Sequence, residues 1–293
     1  MLRNPLTALL AGAIALLAPL PALAQIIDYT PDGFRDGVSD GIAGDLATPG
    51  FELFGTGYVQ QGDHLIIGIN SNQPFEGVRR PGVSGGAVNW GDLFLNFSPE
   101  ANFETALTAG QVYGVRFDPL NDSPVAIGIY QVTATASVTR INGGFVSVNS
   151  YIDSVTNQGQ APFFGTMPMG DRFDYLDRTK SDNVIGAGRL LSTDVDYVAD
   201  LSTLGFAQDF GFADTLTETG AFTYGLRFNL NALPLGRFIA HLWAECINDG
   251  TAFTGEVTRS GQTAESVPEP SLVLGFATIG ALVFATGKRR TAG

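Results

Sequence analysis

The chain has 293 residues, of which 44% are hydrophobic and 15% charged, with a formal net charge of −13. That acidity argues against nucleic acid as a partner. The single cysteine, Cys246, cannot form an internal disulfide, so the fold must be held by core packing or by metal.

At the amino terminus, Arg3 precedes an apolar core from Leu6 to Leu17 and then Ala22-Leu23-Ala24, the A-x-A pattern of a cleaved signal peptide. Residues 1–24 are therefore expected to be removed on export, leaving Gln25 as the first mature residue. Residues 25–262 are expected to form one all-β domain, a length that sandwiches commonly reach. It opens with Asp32-Gly33, Asp36-Gly37, Asp40-Gly41 and Asp45, carboxylates repeating every four residues beside glycines that can bend the chain. Asp32, Asp36, Asp40 and Asp45 are candidate calcium ligands, because hard cations gather oxygens from such loops. EF-hand spacing and its closing Glu are absent, so an ordinary solvated loop is the alternative.

Beyond this point, apolar residues alternate with polar or small ones over short runs bounded by Gly, Asn, Asp and Pro, the period of β-strands. The runs are 52–59, 64–70, 92–97, 111–117, 126–138, 144–151, 222–230 and 237–247. Eight strands with turn-rich loops predict a β-sandwich, jelly-roll-like. Tyr113-Gly114-Val115-Arg116-Phe117 and Tyr224-Gly225-Leu226-Arg227-Phe228 agree at four of five positions, as equivalent strands or by convergence on a good strand pattern.

Between the strands, Gly82-Val83-Ser84-Gly85-Gly86 contains the Gly-x-Ser-x-Gly pattern, but the flanking turns do not supply a nucleophile elbow. Trp90, just beyond it, is a candidate aromatic platform. Residues 171–204 mix seven aspartates with Arg172, Arg178, Lys180 and Arg189. They read as a long functional insertion or a solvated connection, with a short helix possible from Leu190 to Leu204.

The run 237–247 places Phe238, Ala240, Leu242, Ala244 and Cys246 on one apolar face. His241, Trp243 and Glu245 share the other face with Arg237, Ile239 and Ile247. A flat aromatic between hydrogen-bonding side chains suits a sugar ring, so Trp90, His241, Trp243 and Glu245 are candidate glycan contacts. Packing of Trp243 under a second layer is the alternative. Glu245, Asn248 and Asp249 make a second oxygen-rich cluster. His241 and Cys246 fall on opposite faces, and no two carboxylates are marked as an acid and a nucleophile, so no enzyme is expected.

The chain ends in Val267-Pro268-Glu269-Pro270, an apolar stretch from Leu272 to Thr286, and Lys288-Arg289-Arg290. The stretch is a little short of the length that usually spans a bilayer, and the basic cluster would stay cytoplasmic. Segment 266–290 resembles the PEP-CTERM sorting signal, which an exosortase recognises in the membrane. The resemblance implies export, transient membrane attachment through the helix, and removal of the tail at the cell envelope, surface or extracellular matrix.

The interior segments His64 to Asn72, Trp90 to Phe97 and His241 to Asp249 resemble a family of exosortase-dependent surface proteins, in which Glu-Cys-x-Asn-Asp precedes the tag. The first two are also loosely similar to carbohydrate-binding sandwiches. These likenesses imply a non-catalytic surface or matrix protein associated with extracellular polysaccharide. A structural or adhesive coat protein stabilised by calcium is the alternative, and a glycan hydrolase a third.

Overall fold

The computed structural model describes residues 27–32, 36–37, 50–165, 172–210 and 219–259. Asp40, Asp45 and the expectations for segments 1–24 and 266–290 lie outside the described residues. Within them the fold is all-β, as the alternation predicts.

Numbered along the chain, one antiparallel sheet contains β1 (Asp28–Pro31), β2 (Leu53–Gln61), β3 (His64–Ser71), β10 (Val195–Val198) and β11 (Phe222–Asn229), in the order β1-β2-β3-β11-β10. The second contains β6 (Leu93–Asn96), β7 (Val112–Arg116), β8 (Gly128–Ala136), β9 (Val184–Ser192), β12 (Gly236–Trp243) and β13 (Gly250–Val257), in the order β13-β12-β6-β7-β8-β9. A small ladder pairs β4 (Val78–Arg79) with β5 (Ala87–Val88). Strands β2 and β3 meet through a two-residue turn between Gln61 and His64, and Gly62 takes the left-handed φ of 57° that such turns require.

The main core lies between the two large sheets. Leu65, Ile67 and Ile69 of β3 and Leu226 and Phe228 of β11 face Leu93, Leu95, Val115, Phe238, Ala240, Leu242 and Phe253. The two similar pentapeptides supply β7 and β11 and lie in different sheets, yet Val115 and Leu226 enter this same core.

A second core covers the outer face of the six-stranded sheet. It is roofed by α1 (Phe103–Thr108), α2 (Val148–Asn157) and the aromatic residues Phe164, Phe173 and Tyr175. This layer corrects the expected strand at 144–151. Ser147 accepts from the Ser150 amide at 3.1 Å in a reciprocal capping box, and Val148, Tyr151 and Val155 then repeat at helical spacing into the core. The capping pair and the 3.6-residue period override the short alternation.

Region 171–204 is likewise corrected, because its second half carries two strands of the sandwich. Strand β9 forms one edge of the six-stranded sheet, and β10 forms one edge of the other. The chain therefore crosses between sheets at Thr193 and Asp194, and a 3-10 turn replaces any helix at Leu201–Leu204. The intermittent charges suit edge strands, where outward Arg189 and Asp196 discourage pairing with another chain.

Candidate metal centre

The four proposed glycan contacts are all interior. Strand β12 sends Phe238, Ala240 and Leu242 into the main core and Ile239, His241 and Trp243 into the second. Trp243 stacks on Phe164 with ring centres 4.6 Å apart and meets Tyr151 edge-on at 5.5 Å. His241 is fully buried, stacked on Phe94 at 5.1 Å with Phe103 edge-on at 4.7 Å. Neither ring nitrogen has a hydrogen-bond partner among the described residues, and burial lowers its pKa to about 3.

Trp90 is also fully buried, its indole N–H donating to the Tyr224 hydroxyl, which donates onward to the Gln73 carbonyl at 3.0 Å. Glu245 receives the Asn89 amide at 2.9 Å and the Asp122 amide at 2.6 Å, so its carboxylate ties two loops together. Burial raises its pKa to about 7.

The glycan assignment to Trp90, His241, Trp243 and Glu245 is therefore corrected. Alternation identifies two faces of a strand, but not the layer that covers the second face. Cys246 is buried with Ala244 in a small loop-end core, its thiol pushed up to about 12 by burial. Ser84 donates to Asp122 at 2.8 Å.

A different set of carboxylates converges. Ligand atoms of Asp36, Glu52 and Asp249 lie within 4.8 Å of one another, and all three residues are buried. Asp32, 5% exposed, adds its charge to the group and receives the Gly165 amide at 3.4 Å. The aspartate-rich stretch thus contributes Asp36 to the cluster, with Asp32 beside it. The other two members come from distant positions. Glu52 directly precedes β2, and Asp249 directly precedes β13.

Hairpin β12–β13 and strand β2 bring these positions together, where the Leu53 amide donates to Asp249 at 2.6 Å. Asp249 does not join Glu245 in a shared cluster, because Glu245 is held by the loops at Asn89 and Asp122. A sequence signal for Glu52 did exist, a lone carboxylate among Phe51, Leu53 and Phe54, where an unpaired charge is costly to bury.

Backbone donors fix the cluster. The Gly37 amide donates to Glu52 Oε2 at 3.0 Å, and the Gly250 amide to Asp249 Oδ1 at 2.7 Å. Asp36 Oδ2 receives the Phe163 amide at 2.5 Å and the Tyr151 hydroxyl at 3.2 Å. Asp36 Oδ1 is buried and has no donor among the described residues. A Cβ on Gly37 would lie 2.6 Å from Glu52 Oε2, so this approach needs glycine.

The carboxylates strain one another electrostatically. Burial first, and then Asp32 and Glu52, raise the Asp36 pKa to about 9. Burial, Asp36, Glu52 and Asp32 push Asp249 well above its ordinary range. By contrast Asp92, equally buried, is satisfied by Ile185, Ser123 and Asn121 at 2.7, 2.7 and 2.9 Å, as a structural carboxylate should be. An all-oxygen set with several carboxylates suits a hard cation such as calcium, and the absence of His or Cys from it disfavours zinc.

None of the protein-family models, curated proteins or solved structures compared with the chain matches it significantly.

Proposed function

We propose that the protein is an exported, exosortase-processed coat or matrix protein with a structural or adhesive role. The observation carrying this reading is where the two ends of the sandwich leave it. Asp28 pairs with Tyr58, while Thr258, just past β13, donates its amide to Gln60 at 3.0 Å. Both connections to the outer segments therefore lie at one pole. The carboxylate cluster and the loops around Glu245 occupy the other, because Asp249 adjoins the Trp243–Gly250 end of the β12–β13 hairpin. A body tethered through its tail would project that far pole away from the membrane.

In this proposal the exosortase acts on the tail, and the helix gives transient membrane contact. Extracellular polysaccharide is the setting, with no contact assigned to Trp90, His241, Trp243 or Glu245. Fractionation of the producing cells tests the sorting step. Replacing Pro268, Glu269 and Pro270 by Ala should leave an unprocessed, membrane-held form, and normal release of that variant would overturn the proposal. Affinity electrophoresis of residues 25–265 through the cells' own exopolysaccharide tests the structural role, for which free migration is expected. Specific retardation would favour glycan binding instead.

A further inference from the structure

We propose that Asp36, Glu52 and Asp249, supported by Asp32, form a calcium site that fastens the amino-terminal segment to the sandwich. This deepens the structural reading above and rests on it only for the calcium-rich extracellular setting.

The first argument is geometric. Three buried carboxylates offer oxygens within 4.8 Å of one another, close enough to share one ion. In their ionised forms, carboxylates this close would repel one another strongly, which is why burial and mutual charge raise the pKa of Asp36 and Asp249. A divalent cation placed among them would add attractions that offset this repulsion.

The second argument is independent of the number of acids. Asp36 is 1% exposed, and its Oδ2 is already held by Phe163 and Tyr151. Its Oδ1 is buried and has no donor among the described residues. A buried carboxylate oxygen without a partner is costly, a cost that coordination of an ion would remove.

The ligands also divide between two parts of the chain. Asp32 and Asp36 belong to the amino-terminal segment, whereas Glu52 and Asp249 are placed by β2 and β13. Besides the short β1–β2 ladder, the segment packs through Ile27 and Tyr29 against the Phe206 and Phe210 cluster. An ion shared across the junction would close it near the point where Gly37 meets Glu52.

Calcium is favoured over magnesium because the donors come from irregular loops and several segments. Calcium accepts such variable geometry, while magnesium demands a near-ideal octahedron. Waters would complete the six to eight oxygens.

The test is calorimetric titration of calcium into the purified full-length protein, with terbium luminescence sensitised by the aromatic residues as a second readout. One calcium per chain is expected, displacing terbium, with affinity weakened about tenfold or more by Asp36→Asn and by Glu52→Gln. Circular dichroism checks that each variant remains folded. Hydrogen exchange should show β1 opening faster on chelation while β3 and β12 stay protected.

No calcium binding by the wild-type protein, or binding unchanged in both folded variants, would overturn the site. If neither variant folds, the wild-type titration and exchange data decide alone. Binding with no selective change in β1 would remove the fastening role. Each outcome is separable from failure of the export proposal, which is read in cells from tail processing.

Discussion

Lowering the pH from 7.5 to 5 should destabilise the protein through His241, and replacing that residue by Phe should remove this component. An unfolded histidine has a pKa of about 6.5. In the fold, burial among Phe94, Phe103, Phe164 and Tyr175 holds it near 3. Above pH 6.5 both states are neutral, so the contribution of the imidazole is complete. Below it the unfolded chain takes up a proton that the native ring refuses, and stability is lost until the pH reaches about 3.

At pH 5 the loss is about 2 kcal/mol, and this figure depends on the unfolded pKa alone so long as the folded value stays below 4. Buried carboxylates whose pKa is raised, such as Glu245, act in the opposite direction. They are present in both proteins and largely cancel in the comparison. Urea unfolding of wild type and His241→Phe at both pH values, at fixed calcium, gives the double difference. Parallel pH profiles would refute the reasoning, because the native imidazole would then have to accept a proton in place.

Trp243→Ala should cost about 3–5 kcal/mol of stability, because it opens a cavity between Phe164 and Tyr151. Denaturant melts measure it, and a loss under 1 kcal/mol would mean the aromatic roof is not packed as described. Ser147→Ala should cost about 1 kcal/mol by removing the α2 cap. Gly37→Ala should weaken calcium binding in the titration, because the new methyl group pushes Glu52 Oε2 out of place.

Most strand positions are legible in the sequence, because a half-buried strand must alternate. Runs 64–70, 111–117 and 222–230 coincide closely with β3, β7 and β11. Strand β9 is less legible, since Val184-Ile185-Gly186-Ala187-Gly188 is apolar and small without clean alternation, as suits a bulged strand. Strand β13 carries no alternation signal for a related reason. Gly250, Ala252, Phe253 and Gly255 are all buried, so its inward and outward faces differ little in polarity.

The sequence by itself determined that the chain alternates as an all-β protein, that its aspartate-rich stretch contains Asp32 and Asp36, and that Trp243 and His241 share one strand face. These follow from local period and composition. Only the tertiary structure decided that helices and aromatic residues roof that face, making apparent sugar contacts part of a core. It alone brought Glu52 and Asp249, 197 positions apart in the chain, to Asp36, because strand pairing and hairpin closure set such distances. Period reports which side chains share a face, while the partner of that face is chosen by long-range packing.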